Sequence, residues 1–199
     1  MENLEKKQSV EVGQESFNEL ISSFPIYARI ELMQLVNGLR PVAQITVMPK
    51  FKDTMAPGID SLMGLGFAVA QRERDRGIAE YFISHDQKLA DEALETEDPK
   101  RFGELMGFPE SSIAAFLNKE GGAVLEEGEL ARMIGFENHC FHLRLSKGAA
   151  EDEIDYLRKS YKVLLEQAPQ LIDAMLPVDV DADEFKKKVA VFVYGQETI

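Results

Sequence analysis

The feature that most constrains the fold of this chain is a run of apolar residues at helical spacing in its C-terminal third. The run alternates steps of three and four residues, which places every member on one face of an α-helix. Its members are Ile154, Leu157, Tyr161, Leu164, Ala168, Leu171 and Met175. A long amphipathic helix is therefore predicted near 150–176. Because Pro169 removes a backbone donor inside it, we expect a kink, or a second helix that begins near Pro169.

An apolar stripe of this length needs a second apolar surface to cover it. In a chain of 199 residues, such a stripe is expected to pack within its own domain. The alternative is a homodimer in which a second copy covers the 154–175 stripe.

Short segments rich in β-branched and other apolar residues predict the strands. They lie near 41–48, 67–73 and 78–84, and the apolar run 188–194 predicts a fourth. Gly77 can adopt a positive φ, so the second and third strands are expected to form a hairpin. The sequence therefore predicts an α+β fold, in which helices cover a small mixed sheet of three to four strands. The helices include the long C-terminal amphipathic one.

Prolines and polar residues predict several helix boundaries. Pro99 and Pro109 are each expected to open a short helix, because proline fits the first turn. Ser84 followed three residues later by Gln87 predicts a capping box at the start of another helix. The segment 51–57 is interpreted as a loop.

Charge and cysteine content narrow the classes of function. The formal net charge of -13 disfavours binding to a nucleic-acid backbone. The single cysteine, Cys140, allows no intrachain disulfide and fits a reducing compartment. Residues 1–14 are polar and aperiodic, so we expect a flexible tail followed by a single α+β domain over 15–199. No apolar run approaches the length of a membrane span. A cytoplasmic protein without membrane or nucleic-acid partners is expected.

Two short segments carry the candidate ligand-pocket residues. In an extended segment 139–142, Cys140 and His142 would face the same side, and His139 the other. Structural roles, a ligand pocket and a metal site are all open for these residues, but a zinc site needs at least one further ligand. We therefore predict no metal and no cofactor.

The second segment contains Ser111 and Ser112, which lie in the first turn of a predicted helix. Backbone donors at a helix N-terminus can hold an anion, and a serine hydroxyl can assist. Ordinary N-terminal capping is the alternative role for both residues.

Three segments carry a resemblance to a known family. They are 81–90 (YFISHDQKLA), 105–112 (LMGFPESS) and 142–146 (HLRLS). The chain resembles the uncharacterised prokaryotic family labelled domain of unknown function 483, whose members read roughly F-F-I-S-K-D-x-E-L-A, then L-G-Y-P-x-C-C, then H-x-P-C-S. The resemblance implies a shared scaffold over about 40–170 and carries no function with it.

The departures from that pattern concern sulfur. Ser111 and Ser112 stand where the family has paired cysteines, and Leu145 stands where it has a third. The resemblance therefore implies a divergent member that lacks any site built from these thiolates.

These observations predict a non-enzymatic domain that binds a small molecule or a protein partner. The alternative is a hydrolase or transferase that acts on a small polar substrate through Ser111 or Ser112 with His139 or His142. A structural homodimer is the third hypothesis. Geometry separates the first two, because an enzyme needs these hydroxyl and imidazole groups within reach of one another.

Overall fold

A computed structural model of the protein describes residues 14–117 and 151–195. Over these ranges the chain forms nine α-helices and three β-strands. In chain order they are α1 (Gln14–Leu20), α2 (Ile26–Val36), β1 (Val42–Val47), α3 (Lys52–Gly64), β2 (Ala68–Glu73), β3 (Ala79–Ser84), α4 (Gln87–Glu95), α5 (Pro99–Leu105), α6 (Glu110–Leu117), α7 (Glu151–Gln167), α8 (Pro169–Met175) and α9 (Ala182–Tyr194). The α+β prediction is confirmed.

The three strands form one sheet in the order β1-β3-β2. Both pairings are antiparallel, so the predicted mixed sheet is wrong in this respect. The predicted hairpin of β2 and β3 is confirmed, and its turn contains the positive φ of Gly77. Gln44, Phe82 and Ala70 are aligned across the sheet, so they share one face, while their neighbours in each strand share the other.

Each face of the sheet borders its own apolar core. On the Phe82 face, a smaller cluster joins the sheet to α4 and α5 and includes Ala90, Ala93 and Leu105. On the Ile83 face, the main core joins the sheet to α1, α2, α3 and the three C-terminal helices. The sheet is therefore the middle of three layers.

The apolar stripe of α7 and α8 packs inside the main core. Five of its members are fully buried within the chain, namely Leu157, Tyr161, Leu164, Ala168 and Leu171. α7 packs chiefly against α2 and α9. The predicted break also occurs, since α7 ends at Gln167 and α8 begins at Pro169. This arrangement is the one expected for a stripe that packs within its own domain.

The predicted strand at 188–194 is wrong, because these residues form the second half of α9. Phe185, Val189 and Phe192 follow helical spacing and pack on the main core. The helix is closed at both ends: Asp181 accepts hydrogen bonds from two backbone amides, and Gly195 adopts a left-handed conformation. Together, these signals outweigh the strand propensity of the β-branched residues.

Two local predictions also need correction. Ser84 is the last residue of β3, and Asp86 is the N-cap of α4, where its side chain accepts from the amide of Lys88. The segment 51–57 is mostly the first half of α3, which accommodates Pro57. The openings predicted at Pro99 and Pro109 are confirmed, since α5 begins at Pro99 and α6 directly after Pro109.

A pair of amide side chains joins the ends of α2 and α7. Asn37 Nδ2 donates to Gln167 Oε1 over 2.9 Å, and Gln167 Nε2 donates to Asn37 Oδ1 over 2.6 Å. This reciprocal pair fixes how α7 lies on α2, which in turn positions the polar side chains described next.

Candidate functional site

A row of polar side chains runs along α7 beside its apolar stripe. Glu153, Tyr156 and Ser160 are spaced by three and four residues, so they share one face of the helix. Glu153 and Ser160 are fully buried, and Tyr156 is 9% exposed. This row faces α6 at one end and α2 at the other. We call it, with its partners on the other elements, the polar cluster. Its members are Glu31, Gln34, Arg40, Ser111, Ser112, Asp152, Glu153, Tyr156 and Ser160.

The α6 end of the polar cluster consists of two serines and two carboxylates. The Oγ atom of Ser111 lies 2.8 Å from Asp152 Oδ1 and 2.9 Å from Glu153 Oε1. Ser112 Oγ donates to Glu153 Oε1 over 3.1 Å. Because a hydroxyl carries one hydrogen, Ser111 donates to only one carboxylate at a time. At this helix N-terminus, Asp152 and Glu153 of the same chain occupy the place that a bound anion would take.

The centre of the polar cluster is Arg40, which is 5% exposed. Its guanidinium forms an ion pair with Glu31 and lies 6.0 Å from the ring centroid of Phe108. Glu31 Oε2 also accepts a 2.8 Å hydrogen bond from the backbone amide of Gln44 at the edge of the sheet. Nη1 is the guanidinium nitrogen of this ion pair. Within the described residues, the buried Nε of Arg40 has no hydrogen-bond partner.

Tyr156 and Gln34 complete the α2 end of the polar cluster. Burial raises the pKa of the Tyr156 hydroxyl; the charge of Glu31 also raises it, and the charge of Arg40 lowers it. Arg40 and Ser160 lie close enough to the Tyr156 hydroxyl to lower its pKa, and Gln34 Nε2 donates to Ser160 Oγ over 3.0 Å. At neutral pH, Tyr156 is therefore a protonated hydroxyl beside a buried positive charge.

The turn between α5 and α6 closes the polar cluster over Arg40. Gly107, in this turn, has a φ of +73°, and a Cβ atom there would lie 2.7 Å from Arg40 Cα. Only glycine allows the backbone to approach Arg40 this closely while adopting this conformation. Gly107 thus sets the distance between the turn and the segment that joins α2 to β1.

The position of the polar cluster is unusual for side chains of this kind. The described part of the chain has seven buried polar or charged residues, and five belong to the polar cluster: Gln34, Arg40, Ser112, Glu153 and Ser160. Burial of such groups costs free energy unless hydrogen bonds compensate. Polar groups gathered inside a core therefore call for a structural or functional reason.

Of the predicted ligand-pocket residues, the structure places Ser111 and Ser112 together in the polar cluster. His139, Cys140 and His142 lie outside the described residues, so their predicted roles stay predictions. Between 14–117 and 151–195, no three His, Cys, Asp or Glu side chains are grouped in a way that could hold a metal ion.

Sequence reasoning missed Arg40, Glu153 and Tyr156. A usable signal existed for the last two, because both lie beside the apolar stripe at the spacing of a buried helix face. For Arg40, the only signal was its place directly before Pro41, between a helix and a strand. Nothing in that local pattern indicates burial.

Comparisons of the chain with protein-family models, with curated proteins and with solved structures found no match. The resemblance to the family of domain of unknown function 483 therefore stays a prediction. In the part of the chain that the structure describes, every helix is too short or too polar to cross a membrane.

Proposed function

We propose that the protein is a non-enzymatic binding domain for a small polar ligand, and that the polar cluster is its recognition site. The observation that carries the proposal is Arg40. Its side chain is buried, and its Nε atom lacks a hydrogen-bond partner within the described residues. A network with a purely structural role is expected to satisfy its buried donors, because each unsatisfied one lowers stability.

The contacts of Glu31 support the same proposal. Its carboxylate is shared between Arg40 and the amide of Gln44, so one acidic group serves two donors. A guanidinium has five N–H donors, and Glu31 with Tyr156 can occupy only some of them. Donors that remain available next to a polar, protonated tyrosine are the kind of groups that fix the orientation of a bound small molecule.

The enzymatic alternative combines Ser111 or Ser112, which the structure describes, with His139 or His142, which lie outside the described residues. Ser111 and Ser112 donate to carboxylates, whereas a nucleophilic serine is activated by a general base such as an imidazole. Activation by His139 or His142 stays a prediction. A fluorophosphonate probe tests it directly, since it labels an activated serine; labelling that disappears in either Ser111→Ala or Ser112→Ala would favour the enzyme.

Thermal denaturation with a panel of small polar compounds tests the binding function. A ligand at about one hundred times its Kd stabilises the folded state by about 2.7 kcal/mol. For a chain of this size, that corresponds to a rise in Tm of about 5 to 10 °C. Neutral, cationic and anionic compounds should all be included, so that the test does not presuppose the ligand.

The position of the site is then tested by amide chemical shifts. A ligand of the polar cluster should shift amide resonances of Ser112 and Tyr156 and leave Ala90 and Ala93, on the far face of the sheet, unchanged. A panel without any stabilising compound would count against the proposal, and so would shifts confined to the far face.

A further inference from the structure

We infer that the ligand of the polar cluster is a small oxyanion, a carboxylate or a phosphate, that Arg40 binds through its Nε donor. The inference rests on the proposed binding function and adds the chemical class of the ligand. The guanidinium is always charged in proteins, and its planar set of donors matches carboxylate and phosphate oxygens.

The charges around Arg40 leave a role for such an anion. Glu31 is the acidic group paired with Arg40 within the described residues, and it is 24% exposed in its side chain, whereas the Arg40 side chain is 4% exposed. Solvent and the amide of Gln44 weaken the hold of Glu31 on the guanidinium. The positive charge therefore lies deeper in the protein than the charge that balances it.

The opposite end of the polar cluster carries two carboxylates. There the carboxylates of Asp152 and Glu153 accept hydrogen bonds from Ser111 and Ser112. A cation at Arg40 would meet a like charge, and a neutral ligand would form weaker hydrogen bonds with the guanidinium than an oxyanion would. An oxyanion satisfies both the charge and the donors, and the protonated hydroxyl of Tyr156 can donate a further hydrogen bond to it.

Titration calorimetry at constant ionic strength tests the inference with defined probes. Sodium acetate, sodium succinate and inorganic phosphate separate carboxylate from phosphate chemistry, and acetamide and succinamide are their neutral controls. We expect heat of binding from at least one oxyanion and from neither amide. A response to phosphate alone or to a carboxylate alone identifies which oxyanion the site takes.

Matched variants then assign the binding to Arg40. Because a hydrogen bond to a charged group contributes about 1.5–3 kcal/mol, Arg40→Gln should weaken oxyanion binding by about tenfold to a hundredfold. Glu31→Gln removes the competing carboxylate and should strengthen binding by about tenfold. Lys100→Gln is the control, since it removes one positive charge from an exposed position on α5. The affinity of Lys100→Gln for the oxyanion should equal that of the wild type.

A measurement on the wild-type protein keeps the test valid if Arg40→Gln does not fold. The arginine Nε–H resonances can be followed by NMR during addition of phosphate or succinate, and that of Arg40 should shift at the concentration that gives half-saturation in calorimetry. Assignment can use Arg40→Lys, which keeps the charge and lacks the Nε–H group.

The possible outcomes distinguish the inference from the proposed function. Oxyanion binding that Arg40→Gln leaves unchanged, or that does not shift the Arg40 resonance, means an adventitious ion only and overturns the inference. Binding of a neutral compound at the polar cluster without any oxyanion binding also overturns it but keeps the proposed function. A protein that binds no compound of any class contradicts both.

Discussion

Substitution of Gly107 by alanine probes the close contact between the α5–α6 turn and Arg40. An added Cβ would lie 2.7 Å from Arg40 Cα and 2.8 Å from the carbonyl oxygen of Leu39. Both neighbouring atoms belong to the backbone, so they cannot rotate away as the end of a side chain could. The φ of Gly107, +73°, is also unfavourable for alanine.

The two costs can be separated with Gly38→Ala. Gly38 has a similar φ of +69°, and no atom would lie within 4 Å of its added Cβ. The left-handed conformation alone costs about 1–2 kcal/mol, which is the expected loss for Gly38→Ala. For Gly107→Ala, overpacking adds about 1–3 kcal/mol, because the turn and the segment that joins α2 to β1 must move apart. The total loss should therefore be about 2–5 kcal/mol.

Urea denaturation measures this difference. The chain contains no tryptophan, so unfolding should be followed by circular dichroism of the helices. We expect a lower midpoint for both variants, a larger decrease for Gly107→Ala, and an unchanged m value. Equal free energies of unfolding for the two variants would refute the close contact, and with it the role of Gly107 in positioning Arg40.

Three further predictions concern stability. Hydrogen bonds and charge from two arginines outweigh burial and hold the pKa of Glu80 below its ordinary value of 4.5. Its stabilising contribution should therefore be present above pH 4.5 and be lost as the pH falls through the lowered pKa of the folded state. Urea unfolding as a function of pH, with Glu80→Gln as the control, and NMR titration of Glu80 can check this. Asp86→Ala should lower the free energy of unfolding by about 1 kcal/mol, because Asp86 caps α4. Gln87→Ala should have a smaller effect. The opposite order in urea denaturation would favour the capping box predicted from Ser84 and Gln87. Leu164→Ala should cost about 2–5 kcal/mol, because Leu164 is fully buried within its own chain. The molar mass of Leu164→Ala by light scattering should equal that of the wild type and of Val191→Ala, a control at an exposed position. A change in mass seen only for Leu164→Ala would favour a homodimer through the 154–175 stripe.

Much of the fold could be predicted from local patterns. The break at Pro169 and the hairpin that turns at Gly77 each depend on the backbone chemistry of one residue, so the sequence states them directly. The segment 188–194 resembled a strand because five of its seven residues are aromatic or β-branched and the run is short. Its helical register becomes clear only when Phe185 and the cap at Asp181 are included.

Prediction of the candidate site was less complete, for a different physical reason. Ser111 and Ser112 were recognised from their place in the first turn of a helix, which is a local property. Their partners, Asp152 and Glu153, are about forty residues away in the chain and meet them only through tertiary packing. The burial of Arg40 likewise depends on contacts from three separate elements, which no local pattern encodes.

The carboxylate of Glu31 links two parts of the molecule that otherwise have separate roles. It is shared between the guanidinium of Arg40 and the amide hydrogen of Gln44 in the outer strand β1. Any change in the charge at Arg40 must therefore alter how firmly that amide is protected from exchange with solvent. Deuterium uptake at the backbone amide of Gln44 can thus report whether a ligand occupies the polar cluster.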